Sequence, residues 1–157
     1  MHRYEFLWRF HKVHHSVKEM GFSAHLRYHW MENILYKPLK VFALMLLGGF
    51  QPEQAFIIHF FAIGLGHLNH ANIKLNYGPL KYIFNNPIMH LYHHAYNLPE
   101  NFKNGVNFAI SLSVWDYLFG TNFIPKADKN IKLGYADDHK MPATFWGQLF
   151  YGFRQKD

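Results

Sequence analysis

Cysteine is absent from this sequence. That excludes disulfides, thiolate metal sites, iron–sulfur clusters and a Cys nucleophile. Acidic residues are scarce, ten Asp and Glu against sixteen Lys and Arg, and the formal charge is +6. No uninterrupted apolar run reaches the roughly 20 residues of a membrane-crossing helix. No Gly-x-Ser-x-Gly is present, which removes the nucleophile-elbow hydrolases. His-Glu-x-x-His is also missing, and so is the zincin protease reading. None of the five glutamates is followed three residues later by histidine, so a soluble carboxylate-bridged di-iron bundle is excluded as well. The opening residues Met1-His2-Arg3-Tyr4-Glu5 are polar and do not read as a signal peptide. The aromatic residues sit inside apolar runs and do not interleave with the basic ones. The basic balance therefore suits an anionic membrane surface, and no nucleic-acid partner is expected.

What the sequence has in excess is histidine, thirteen in 157 residues. Two stretches repeat one pattern: His11-Lys12-Val13-His14-His15 and His90-Leu91-Tyr92-His93-His94. On a helix, positions i, i+3 and i+4 share a face. The expectation is two clusters of three imidazoles, each aimed in one direction and brought together by the fold. Imidazole ligates zinc, copper, iron and nickel. A site built from this many rings suffices for two metal ions, although a facial triad of two His and one carboxylate stays open. The second nitrogen of each ring needs a partner, for which Asp116 and Asn72 are candidates. Asp116 can equally be a helix-terminal or surface charge. His25 and His29 lie four apart, a spacing equally suited to hydrogen-bonded or surface histidines.

The length fits one domain over 1–157, and the expected fold class is all-α. Residues 2–20 read as a helix, with Ser16 and Gly21 as bend points. The apolar heart is residues 34–70. There, Val41–Phe50 and Ala55–Leu68 flank the turn Gly48-Gly49-Phe50-Gln51-Pro52-Glu53. This reads as an integral-membrane helical hairpin, or alternatively as a buried hairpin of a helical core. Lys37 and Lys40 at its open end place that end, and His67 and His70 with it, on the cytosolic side. Pro87 suits the first turn of the helix bearing His90. Residues 105–121 form an amphipathic segment ending at Gly120, residues 126–140 a charged surface loop, and residues 144–153 a last amphipathic helix. The histidine-rich cytosolic cap then comprises 2–33 and 71–125, and the tail 126–157.

Several segments together resemble the fatty acid hydroxylase and sterol desaturase superfamily of membrane di-iron oxygenases. They are Leu7-Trp8-Arg9-Phe10-His11-Lys12-Val13-His14-His15-Ser16, His70-Ala71-Asn72-Ile73, Asn86-Pro87-Ile88-Met89-His90-Leu91-Tyr92-His93-His94, Val106-Asn107-Phe108, and Leu112 to Thr121. The likeness covers about residues 2–125. It implies two iron ions held by His2, His11, His14, His15, His67, His70, His90, His93 and His94, with His29 in a supporting role. It also implies a membrane lipid (sterol or fatty acyl chain) that is hydroxylated or desaturated with O2. Electrons would come from NAD(P)H through a separate electron-transfer protein. In the family pattern another histidine, and one or two membrane helices, precede the position of His2. The resemblance therefore implies an N-terminally truncated member. That leaves three readings to distinguish: a lipid oxygenase, a non-catalytic metal-binding membrane protein, or a structural helical membrane protein whose histidines are polar packing groups.

Overall fold

The computed structural model describes residues 1–102, 104–124 and 131–154. Among them all regular structure is helical, as expected. There is no strand, and one isolated bridge joins Ala95 to Leu133. The order is α1 (Glu5–His15), α2 (Phe22–Leu26), α3 (Met31–Leu35), α4 (Lys37–Gly48), α5 (Pro52–Asn69), α6 (Pro87–His93), α7 (Val114–Leu118), α8 (Phe145–Leu149) and α9 (Tyr151–Arg154).

Helix α1 is shorter than the 2–20 expected, and its end has a local cause. Ser16 Oγ donates to the Val13 carbonyl at 2.8 Å, and Arg27 Nε donates to the same carbonyl at 3.1 Å. Arg27 Nη2 also reaches Ser16 Oγ at 2.8 Å. Carbonyls left open at a helix end are thus satisfied by side chains, and the chain turns back so that α3 packs on α1 and α2 on α5.

The hairpin follows its sequence signals. Pro38 sits in the first turn of α4, and Gly49 closes the helix in the left-handed region at φ +68°. Gln51 N then donates to Gln54 Oε1 at 2.9 Å, capping the first turn of α5, which Pro52 begins. The helices are 12 and 18 residues long, or about 18 and 27 Å at 1.5 Å per residue. No described helix is long and apolar enough to cross a membrane. The hairpin expected over 34–70, dipping into or crossing a bilayer, is found over 37–69, and neither of its helices is long and apolar enough to cross. In α5, Pro52-Glu53-Gln54 occupies the first turn, and His59 and His67 interrupt the apolar stretch. Helix α4 buries no residue at all, and α5 buries Ala55, Gly66 and Asn69.

In the second half, Asn86 caps α6 by accepting from Met89 N at 3.0 Å, with Pro87 in the first turn. Residues 105–113 are not helical. Gly105 and Asn107 lie at φ +103° and +50°, and the backbone carbonyls here are taken by other elements. Asn69 Nδ2 donates to Ile110 O at 2.7 Å, and Asn85 N to Ser111 O at 2.8 Å. The amphipathic segment is helical over α7 alone. Gly120, at φ +66°, lies just beyond its end. The last helix is split at Phe150, and Gly152 lies so close to Phe10 that a Cβ there would sit 2.4 Å from the ring.

Of the surface loop expected over 126–140, residues 126–130 fall outside the described residues. The next stretch is not a free loop. Tyr96 N donates to Lys132 O at 2.8 Å and Gly134 N to His94 O at 3.1 Å, with Leu133 buried. The interior has an unusual make-up. Among the described residues, sixteen buried polar or charged residues stand against twelve buried hydrophobic ones. Interiors ordinarily favour the apolar set.

Candidate metal centre

The fold brings eight histidines into two adjacent quartets. The first is His2, His11, His15 and His93, and the second is His14, His70, His90 and His94. Within each quartet one ring nitrogen from every member lies within 4.8 Å of the others. The expectation of one cluster per repeat is corrected, because each His-x-x-His-His is divided. Positions i and i+4 of the first repeat (His11, His15) join His93, which is position i+3 of the second. Positions i and i+4 of the second repeat (His90, His94) join His14, which is position i+3 of the first. Helix geometry explains the split. At about 100° per residue, i and i+4 are some 40° apart, whereas i+3 lies about 60–100° to one side of them. Facing helices α1 and α6 can therefore each send a pair to one centre and a single ring to the other. Between the quartets the rings are in contact, with His15 and His94 stacked at 4.3 Å between centroids.

The outer nitrogens are held by the chain. His14 Nδ1 donates to Arg27 O at 2.9 Å, His70 Nδ1 to Gly66 O at 2.7 Å, and His93 Nδ1 to Val106 O at 2.8 Å. His11 Nδ1 meets Glu32 Oε2 at 3.1 Å. A carbonyl can only accept, so the first three rings carry their proton on Nδ1 and point an Nε2 lone pair inward. Burial first, and then neighbouring imidazoles, hold His2, His14, His15, His90 and His94 well below the ordinary imidazole range. His93 is pulled down to about 4, chiefly by burial. These rings are neutral near pH 7.

Neutral rings make the inner geometry unsatisfied. His14 Nε2 and His70 Nε2 face each other at 3.2 Å, and His90 Nε2 lies 3.0 Å from His70 Nε2. With both Nδ1 atoms protonated, the first of these pairs is lone pair against lone pair. His2 Nε2, His15 Nε2 and both ring nitrogens of His94 are buried with no partner. Buried polar atoms without partners are costly. One cation per quartet removes the conflict. Imidazole nitrogens about 2.1 Å from a divalent metal lie roughly 3 Å from their neighbours, close to the 3.0 and 3.2 Å that separate His70 from His90 and His14 in the second quartet. An all-imidazole donor set suits iron, copper, nickel or zinc. The residues present therefore fit a two-metal centre.

The remaining expected site residues fall elsewhere. His67 lies outside both quartets, stacked on Phe22 at 4.4 Å and edge-on to His25 at 4.2 Å. Asn72 is exposed and does not support a ring. Asp116 is buried but touches no imidazole. Its carboxylate accepts from Phe108 N at 2.8 Å, Ala109 N at 3.0 Å and Thr121 Oγ1 at 2.6 Å. It thereby fixes the loop whose Val106 carbonyl holds His93. His29 is buried, its Nδ1 accepting from Met31 N at 3.1 Å, and its ring lies 5.0 Å from that of Phe10.

Two residues were missed from the sequence. Glu32, 1% exposed, is the carboxylate that holds His11. The signal was an acid three residues after His29 in a chain with few acids. Asn107 uses its whole amide. Nδ2 donates to Met89 O and to Phe123 O, and Oδ1 accepts from Phe123 N, each at 2.8 Å. It ties α6 to the strap over 106–123. Rings of both quartets open onto a cavity of about 570 Å³ whose apolar wall includes Leu26, Ala62, Ile63, Phe108 and Ile110.

Comparison with known proteins bears on this arrangement. The profile of the fatty acid hydroxylase family matches residues 1–121. The chain is 32% identical to the ornithine lipid hydroxylase OlsE of Rhizobium tropici, over 99% of this chain and 45% of that protein. It is 33% identical to the alkylglycerol monooxygenase of Danio rerio, over 83% of this chain and 28% of that protein. The human alkylglycerol monooxygenase is 30% identical over 76% of this chain and 26% of its own length. The chain thus spans less than half the length of these curated relatives. No solved structure matches it.

Proposed function

The chain belongs to the fatty acid hydroxylase family, and on that premise we propose that it is a lipid oxygenase with a two-iron, all-histidine centre, residues 1–157 forming one domain of that family. The ligands are His2, His11, His15 and His93 for one ion and His14, His70, His90 and His94 for the other. Bound iron would supply activation of O2 and oxidation of an unreactive C–H bond. The reaction class is monooxygenation: a C–H bond becomes C–OH, and O2, two electrons and two protons yield the hydroxyl and one water. The relatives named as lipid hydroxylase and monooxygenase favour hydroxylation over desaturation. The electrons come from NAD(P)H through a separate carrier protein.

The observation that carries this reading is the pair of inward lone pairs on His14 and His70, 3.2 Å apart in a buried site. The chain's own groups prepare that site. The carbonyls of Arg27, Gly66 and Val106 fix the tautomers, and the Glu32 carboxylate holds His11 and balances part of the metals' charge. Ala62, Ile63 and Ile110 offer an apolar wall to a lipid chain beside the rings. The hairpin presents Phe42, Leu46, Leu47, Phe56, Phe60 and Phe61, all more than half exposed. Apolar surface on that scale seeks a lipid or protein partner. We place it in a bilayer, with Lys37 and Lys40 and the histidine centre at the cytosolic face.

The test is anaerobic loading with Fe²⁺ in lipid nanodiscs, followed by O2 and a reductase system. Two irons per chain and an oxygenated lipid are expected, and His93→Ala should drop the stoichiometry to about one. Retention of zinc without O2 consumption would favour the non-catalytic alternative. Failure to bind any metal would falsify both.

A further inference from the structure

Part of the cavity wall is cationic. Its lining includes Arg3, Lys37 and Lys40, together with Tyr28 and Tyr36. Lys37 and Lys40 are three apart and share one face of α4. Neither pairs with a carboxylate among the described residues. Lys37 Nζ sits 3.4 Å from the Tyr28 ring centroid, and Lys40 Nζ 5.0 Å from that of Tyr36. These aromatic contacts direct the ammonium groups without supplying a carboxylate, although the Glu32 charge reaches Lys40 across the cavity. The acid that lines this cavity, Glu32, is already engaged by His11 and by the His29 backbone N–H at 3.3 Å. Lys40 and Arg3 are exposed, Lys37 is half-buried, and the quartet rings lie deeper. Lys37 also acts on the His25 ring, and that ring stacks on His70 at 4.7 Å. One continuous cavity therefore has a positive rim, an apolar wall and a histidine floor.

We propose that Lys37 and Lys40, with Arg3 on the lining of the same cavity, form a headgroup site for an anionic amphiphile, carrying a phosphate or carboxylate, whose chain runs along Ala62, Ile63 and Ile110 toward the histidines. The proposal rests on the reading of the cavity as a lipid site and adds the headgroup class. Two ammonium groups on one face match an anion's several acceptor oxygens, and charge-assisted bonds of this kind are stronger than neutral ones. A neutral headgroup of the same chain length would leave both ammonium groups without that compensation.

Binding needs neither iron nor turnover, so it can be measured separately from oxygenation. The full chain in neutral maltoside micelles is titrated with dodecyl phosphate, dodecanoate and dodecylglycerol by equilibrium dialysis. Dodecyl phosphate and dodecanoate are expected to bind about tenfold or more tightly than dodecylglycerol. Lys37→Gln with Lys40→Gln should erase that preference and leave dodecylglycerol affinity within about twofold. Lys37→Glu with Lys40→Glu should reverse it toward dodecylammonium. Circular dichroism of each variant checks that it remains helical. Equal affinities in the parent chain overturn the proposal, as does a preference that survives both double variants. If the Gln variant loses only attachment to phosphatidylglycerol vesicles and keeps its preference for dodecyl phosphate, the lysines serve the bulk membrane and the proposal fails. Loss of oxygenation with the binding preference intact would count against the enzymatic reading and leave the headgroup site standing.

Discussion

The histidine core and the α4–α5 hairpin are opposites. The core is polar and buried, with His70 and His94 at 0% exposure. The hairpin is apolar and open, with Leu46 at 80% and Leu47 at 88% exposure. In each region the residues sit where bulk water would not put them. The core is held by directed bonds, carbonyl to imidazole and amide to carbonyl, and by the metals proposed for it. The hairpin is held by its own caps and turn, and its large apolar side chains at Leu46, Leu47, Phe56, Phe60 and Phe61 are more than half exposed. One region depends on what is placed inside it, the other on what surrounds it.

That contrast can be broken, and the largest break should come from metal removal. A bound ion at a thousandfold excess over its Kd contributes about 4 kcal/mol. Chelation should therefore lower the Tm of the core by about 10 °C or more, followed by near-ultraviolet circular dichroism. The far-ultraviolet helical signal of the hairpin in micelles should outlast it. A Tm indifferent to chelator would sink the idea that the core needs its ions. Next is Asn107→Ala, which strands Met89 O and both backbone groups of Phe123. About 2–4 kcal/mol of stability should be lost in denaturant unfolding, and a change within about 0.5 kcal/mol would show that the strap is held by other means. Glu32→Gln should weaken metal affinity roughly tenfold to a hundredfold, read by chelator competition, with stoichiometry at saturation unchanged. If affinity stayed level, Glu32 would not be orienting His11. The smallest effect belongs to the hairpin. Leu46→Ser with Leu47→Ser should change stability in micelles by no more than about 0.5 kcal/mol while reducing partition into vesicles. A large stability loss there would mean the hairpin is packed against protein.

Sequence reasoning reached the regions unequally, for physical reasons. The helix beginning at Pro87 was legible because a cap and a proline act within one turn. The hairpin turn was legible for the same reason, through Gly49 and Pro52. Hairpin length was overestimated, since Ile34 and Leu35 are apolar but belong to α3, which packs on α1. Residues 105–113 were misjudged because their carbonyls are claimed by Asn69 and Asn85 from distant positions. The histidines that converge were legible from their spacing and the family likeness. Their division between two quartets depends on how α1 faces α6, a tertiary relation that no local pattern states. Glu32 and Asn107 were overlooked likewise, because each acts across the fold.

The exchange of single rings between the two repeats has a consequence for assembly. Any ion held by one quartet staples α1 to α6, joining residues about eighty positions apart along the chain. Closing so long a loop costs entropy that grows with the logarithm of its length, and the first ion to bind bears that cost. The second quartet spans the same two helices, so its ion closes a loop already shut. Loading should be cooperative, with the half-filled species sparse at intermediate metal concentrations. The two centres then act as a single clasp, in which the first ion to bind prepares the place of the second.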